Sequence, residues 1–211
     1  MTGPSTLVRS VDRIERLCAS TLDERALRIG IIDELRRAIG FDAHVWLLTD
    51  PVTTVGSNPV ADVPALPQLP TLIRLKYSNA VNRWTALSAT PAPVGLLSRT
   101  PVDPDNPWRA MLAEYAIVDV ASTVFRDRHG CWGFLDLWRH SSGGPFSDDG
   151  VAVLVAVGAM ITLALRRRQA ATFARTRTRV VLPRDEGPAV LIIDDALRIT
   201  GKTRAATEWL E

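Results

Sequence analysis

The sequence predicts an α+β fold: a central antiparallel sheet with helices on both faces, then a long connecting helix, then a truncated tail that opens a second sheet. Three observations predict it. The runs at 43–48 and 131–139 are apolar on both faces, so the sheet they form must be covered on both sides. Runs 119–126 and 131–139 are joined only by Asp127-Arg128-His129-Gly130, a connection short enough to require an antiparallel hairpin, with glycine last as such loops prefer. Residues 151–165 carry no charge over 15 positions, the composition of a helix buried nearly all round.

The elements follow in order. Leu7, Val11, Ile14 and Cys18 recur at helical spacing and predict an opening helix over 5–19. Thr21-Leu22-Asp23-Glu24 reads as a capping box, and the helix it opens buries Leu27, Ile31, Leu35 and Ala38 before Gly40 stops it. A strand follows at 43–48. Ten of the 14 prolines then fall between 51 and 107, so that stretch is expected to be short helices at 69–77 and 81–87 joined by loops. Asp105 or Asn106 caps a helix with Pro107 in its first turn, running to about Ala116. On the second strand of the hairpin, Trp132, Phe134 and Trp138 are expected on one face, with Cys131, Leu135 and Leu137 on the other. Ser147 caps the long helix, with Asp148 and Asp149 in its first turn and an end near Thr176. After Pro183 come a strand at 189–193, an Asp194-Asp195 turn, a second strand at 197–199, and a helix from Arg204. A hairpin and two helical turns cannot enclose a core, so this tail reads as cut short.

Charge is uneven. The net is +2, but residues 166–184 hold seven arginines and no acid; without them 18 bases face 23 acids. The basic character therefore belongs to one segment. Two distant cysteines, Cys18 and Cys131, give no metal-cage spacing. The charged opening, Arg9 to Arg16, is unlike a signal peptide, and a cytoplasmic chain with free thiols is expected. The apolar stretch before Arg166 is shorter than the roughly 20 residues a bilayer needs, so no membrane is expected.

The order of strand, glycine-containing turn, Gly133-Phe134-Leu135-Asp136-Leu137, then Phe146-Ser147-Asp148-Asp149 and a long helix resembles a GAF domain over about residues 20–168. Gly40-Phe41-Asp42 leading into Val45-Trp46-Leu47-Leu48 matches that family's first helix and strand. The tail at 187–211 resembles the start of a PAS domain. Trp46 to Pro51, Ile73 to Tyr77, Asn82 to Thr85 and the stretch from Phe125 to Arg139 together look like the sensor half of actinobacterial LuxR-type transcriptional regulators. The resemblance implies four parts: an N-terminal helix at 1–19, a GAF-like sensor domain at 20–168, a basic connecting segment at 169–186 and the PAS-like start at 187–211. It also implies a DNA-binding helix-turn-helix that is absent from these residues.

In that fold the proline-rich crossover closes over one sheet face and makes the ligand pocket. Trp46, Tyr77, Trp84 and Trp108 are the aromatic candidates for its wall, because a large flat ring with one polar handle suits a ligand. Each has the plainer reading of a core residue under long loops. Arg74, with Lys76 and Arg83, is the candidate to face an anionic ligand; the plainer reading is a solvated helix face.

Other chemistry is thinner. Residues 196–203 fit a relaxed phosphate-loop pattern, but Leu197, Arg198 and Ile199 read as strand and leave no room for amides to cradle phosphate. Cys131 reads as a buried thiol; a redox role needs a lowered pKa and access. His44, on an apolar strand, reads as a satisfied core residue, and the adjacent acid pairs Asp148/Asp149 and Asp194/Asp195 as cap and turn. No cofactor is evident beyond an unknown small-molecule ligand, and the cyclic-nucleotide, bilin and sulfoxide-reducing signatures of GAF relatives are missing. Excess apolar surface on the 148–176 helix, with the Leu7, Val11 and Ile14 stripe, predicts a homodimer through these helices, running parallel. The expectation is a non-catalytic sensing and dimerisation region of a LuxR-type regulator; the alternative is a ligand-free interaction module whose pocket is filled by its own aromatics.

Overall fold

The computed structural model describes residues 4–64, 66–79, 81–90, 93–179, 190–194 and 198–210. The chain forms two compact units, Met1–Ala170 and Ala171–Glu211. In the first, α1 (Pro4–Ala19) and α2 (Glu24–Ile39) precede β1 (Ala43–Thr49) and β2 (Gly56–Asp62). The crossover then carries α3 (Leu69–Ser78), the single turn α4 (Trp84–Leu87), β3 (Val94–Leu96) and α5 (Pro107–Glu114). The hairpin β4 (Ile117–Asp127) and β5 (Gly130–His140) leads into α6 (Asp148–Arg179). The sheet has the order β2-β1-β5-β4-β3 and is antiparallel throughout.

The sequence does not announce β2 or β3. β2 contains Pro59 and is mostly exposed, β3 is three residues long, and both lie at sheet edges, where a missing amide donor is tolerated. The expected helix at 81–87 is reduced to α4, because Asn82 takes a left-handed backbone, φ 54°, that a helix cannot hold. The capping box is not formed as expected. Asp23 is the cap, accepting from the Ala26 amide at 2.8 Å, and Glu24 is drawn away to pair with Arg28.

Alternation on β5 differs from expectation as well. Arg126 pairs with Cys131 and Phe125 with Gly133, so Trp132 is an extra, bulged residue. The bulge reverses the parity of the strand's start. Cys131 joins Phe134 and Trp138 on one face, while Trp132 joins Leu135 and Leu137 on the other.

The two faces are covered separately. α1, α2 and α6 cover one, packing Ile14, Leu35, Val157 and Leu165 against Trp46, Leu135 and Leu137. The crossover covers the other, with Leu72, Trp84, Trp108 and Leu112 over Val45, Leu47, Val120, Phe134 and Trp138. Arg139 ties α2 to the sheet by donating to the carbonyls of Ile39 and Gly40, which the end of a helix leaves open. Asp119, wholly buried, accepts from Ser98, Val120 and Phe146 and so fixes both the crossover and the entry to α6. By length and composition α6 could cross a membrane, yet Val153, Leu154, Val157, Ile161, Ala164 and Leu165 are buried against the rest of the unit.

The second unit holds the end of α6, a hairpin of β6 (Leu191–Ile193) and β7 (Ile199–Lys202), and α7 (Arg204–Leu210). Gly201 and Lys202 lie in β7, so they do not form a phosphate-cradling loop; Ala196 and Leu197 of that pattern fall outside the described residues.

Candidate functional site

The crossover face carries a polar cluster at its centre. On α3, Leu69, Leu72 and Lys76 fall at helical spacing on the side that meets the sheet, so the third position of an otherwise apolar stripe is a lysine. On β5, Phe134, Asp136 and Trp138 alternate onto the same face, which places a carboxylate between two aromatics. The two charges meet: Lys76 Nζ lies 3.2 Å from Asp136 Oδ2 and donates to Ser122 Oγ at 2.7 Å. Both side chains are at most 3% exposed.

Aromatic rings wall the pair. Lys76 Nζ stands 4.0 Å from the ring centre of Trp108 and 5.4 Å from that of Trp84, close enough for the ammonium to feel the negative ring faces. Trp84 Nε1 donates to Asp136 Oδ1 at 2.7 Å, and the Trp84 ring stacks on Phe134 with centroids 5.2 Å apart. Tyr77 meets both rings edge-on and donates its hydroxyl proton to the Thr54 carbonyl at 3.0 Å. Burial pushes the Lys76 ammonium down to about 8, with Asp136 opposing that shift.

Asparagines extend the cluster. Asn82 Nδ2 donates to Ser122 Oγ at 2.8 Å, and Asn106 Nδ2 donates to Asn79 Oδ1 at 2.7 Å while Asn106 Oδ1 caps α5. Among the described residues, the buried polar atoms of this side without a partner include the Nε atoms of Arg83 and Arg109 and, nearest the cluster, Asn79 Nδ2, Asn82 Oδ1 and Trp138 Nε1. An unpaired buried polar atom costs about 1–3 kcal/mol, so its presence asks for a bound water or ligand.

The structure brings together Tyr77, Trp84 and Trp108 of the five candidates. Trp46 is fully buried on the opposite face, stacked on Phe125 at 5.1 Å, and Arg74 is exposed on α3. Lys76, not Arg74, is the base that turns inward. Asp136, Ser122 and the three asparagines were not singled out by sequence reasoning. The available signal was a charge of each sign, Lys76 and Asp136, in otherwise apolar buried stretches.

The remaining groups are quiet. Burial raises the Cys131 thiol and lifts Cys18 to about 11, so neither is a thiolate near neutrality. Burial, with Arg36 alongside, lowers His44 to about 4. Arg36 Nη2 lies 3.4 Å from His44 Nδ1; since arginine only donates, the imidazole accepts there and is neutral. Among the described residues no group of His, Cys, Asp or Glu could hold a metal. Of the arginine run, Arg166 pairs with Asp127 at 2.6 Å and Arg168 donates to the Ser20 and Leu22 carbonyls, which makes these two structural and not simply solvated. The side chains of Arg175, Arg177, Arg179 and Arg184 fall outside the described residues.

No family model matches the sequence, and no curated protein does. Solved structures do match. An N-acylhomoserine lactone-dependent LuxR-family transcription factor from Burkholderia cenocepacia aligns with TM-score 0.51 at 17% identity, over 79% of this chain and 97% of that one. The GAF domain of a phosphoenolpyruvate-protein phosphotransferase from Coxiella burnetii aligns with TM-score 0.51 at 13% identity, over 85% and 100%. The GAF domain of a two-component sensor histidine kinase from Bacillus halodurans gives TM-score 0.51 at 14% identity, over 72% and 99%. At these identities the likeness concerns architecture alone, and by architecture the five-stranded antiparallel sheet with its helices is a GAF-like fold.

Proposed function

We propose that this chain is the signal-sensing region of a cytoplasmic LuxR-type transcriptional regulator. In this reading its GAF-like unit is non-catalytic, its second unit is the opening of a PAS-like domain, and DNA is contacted by a helix-turn-helix outside these residues. The observation that carries sensing is the set of unpartnered polar atoms, Asn79 Nδ2, Asn82 Oδ1 and Trp138 Nε1, buried under a crossover of short helices and loops. A small molecule offering both a hydrogen-bond donor and an acceptor satisfies them and displaces aromatic side chains as it enters. Binding to the folded state at a hundred times its dissociation constant stabilises by about 2.7 kcal/mol. Thermal unfolding against a library of polar metabolites is therefore expected to give compounds that raise the midpoint by several degrees, an effect lost in Asn82→Ala.

A second reading has its own observation. Trp84 and Trp108 are each 1% exposed, so the space under the crossover is already filled by the protein's own rings, as a ligand-free interaction module requires. If no compound shifts the midpoint and acrylamide fails to quench the tryptophans with any of them present, the module reading replaces the sensor reading.

A further inference from the structure

The middle of the crossover face is shaped to hold an ammonium ion, and a side chain of the protein itself fills it. Two indole rings, a carboxylate and a hydroxyl surround Lys76 Nζ: the ring centres of Trp108 at 4.0 Å and Trp84 at 5.4 Å, Asp136 Oδ2 at 3.2 Å and Ser122 Oγ at 2.7 Å. Ring faces and carboxylate oxygens are negative, and together they make a box that recognises organic cations. The box does not owe its shape to the lysine. Asp136 is fixed by Trp84 Nε1, Trp84 is stacked on Phe134, and Trp108 stands in the first turn of α5, which Asn106 caps. The choice of base points the same way. Of the 25 lysines and arginines only Lys76 and Lys202 are lysines, so the box has taken a compact point charge in a chain that otherwise uses the planar fork of arginine.

Lys76 is a tethered occupant and uses only part of what surrounds it. Its ammonium bonds Asp136 and Ser122, while Asn82, which shares the Ser122 hydroxyl, keeps an unpartnered Oδ1 and Asn79 an unpartnered Nδ2. An amine without the tether can fill the box and carry groups for these atoms on its body. Lys76 lies in the last turn of α3. Leu69 and Leu72 pin the earlier turns, and Lys76 and the Tyr77 hydroxyl tie down the last, so the lysine can withdraw by lifting that turn alone. Exchanging one cation for another leaves the buried charge as it was. An anion, or a second cation beside Lys76, would add an uncompensated one.

We infer that the ligand of the sensing site is a small primary ammonium that takes the place of Lys76 between Trp84, Trp108 and Asp136 and so frees the last turn of α3. This names the ligand class of the site proposed above and rests on that reading. The probe is n-butylammonium, which is the lysine side chain without its tether, set against 1-butanol and butyrate at matched ionic strength and neutral pH. Butylammonium alone is expected to raise the unfolding midpoint of the wild-type chain and to saturate. Hydrogen exchange at residues 73–78 is expected to quicken as it binds, with β5 unchanged. Lys76→Ala empties the box and is expected to bind the probe at least about tenfold more tightly, because the resident competitor is gone; adding Asp136→Asn abolishes binding. Should Lys76→Ala not fold alone, its recovery with butylammonium but not with butanol reads the same exchange. A silent butylammonium overturns the ammonium class: sensing survives if uncharged or anionic compounds of the metabolite library raise the midpoint, and falls with it if none does. Amine binding that is no tighter in Lys76→Ala, or that slows exchange at the end of α3, also overturns the proposal.

Discussion

The two faces of the sheet share the same strands and are filled differently. On the helix face α1, α2 and α6 meet the strands through a mainly aliphatic layer, and its buried charges are met one by one: Arg28 pairs with the part-exposed Glu24 while donating to the Trp46 and Asn58 carbonyls, Glu34 pairs with Arg13 and Arg37, and Asp119 accepts from the Phe146 amide at the entry to α6. On the crossover face an ion pair sits in the middle of the layer, between Trp84 and Trp108, with three asparagines around it. Long helices can close a face by packing alone. Short helices interrupted by prolines bury less, and there polar contacts hold the crossover in register on β4 and β5. The second kind of layer is the costlier to build and the easier to open, which is why the proposed sensing is assigned to that side.

Breaking the ion pair is the strongest way to test this contrast. Lys76→Met leaves Asp136 buried and uncompensated, and is expected to cost about 3–5 kcal/mol in urea unfolding. Lys76→Met with Asp136→Leu removes both charges and should recover most of that loss. Wild type is also expected to gain stability from about pH 8 to 9, above which the raised Cys18 and Cys131 thiols oppose the gain. The folded lysine gives up its proton near 8 and the unfolded one near 10.5, so the unfolded state holds more protons in between and the burial penalty is relieved across that window. The alkaline gain should vanish in Lys76→Met.

A smaller effect tests how closely the crossover sits on the sheet. A Cβ on Gly95 would lie 2.1 Å from Asn82 Oδ1, so β3 carries glycine because the asparagine leaves no space for anything else. Gly95→Ala is expected to cost about 1–3 kcal/mol and to weaken the response to any ligand, since Asn82 must move.

The smallest effect belongs to the helix face. His44, facing α2, is neutral in the fold down to about pH 4, whereas an unfolded histidine protonates near 6.5. The stability this supplies is complete above 6.5 and is lost as pH falls toward 4, amounting to about 1 kcal/mol by pH 5.5. His44→Gln should flatten that acid limb and leave the alkaline gain from Lys76 untouched, which separates the two faces in one titration.

Much of this architecture is legible in the order of residues. Gly40, Asn106-Pro107, the turn ending in Gly130 and the charge-free run at 151–165 each act through local backbone chemistry or through one side of one helix, and the structure places elements where these signals fall. The site was less legible. Trp46 and Trp84 look alike in sequence and lie on opposite sides of the sheet, because strand pairing turns Trp46 of β1 toward the helices while Trp84 of α4 reaches the other face only when the crossover closes over it. Trp132 shows the same point, its face reversed by a bulge that only the partner strand defines. Lys76 and Arg74 differ by two positions on one helix, and only docking of α3 on the sheet buries one and exposes the other. By itself, then, the sequence determined where the longer helices and the three central strands lie, because caps, turns and periodicity are local. Tertiary structure alone decided which charges become partners, because Lys76 and Asp136 are sixty residues apart and meet only when the crossover closes.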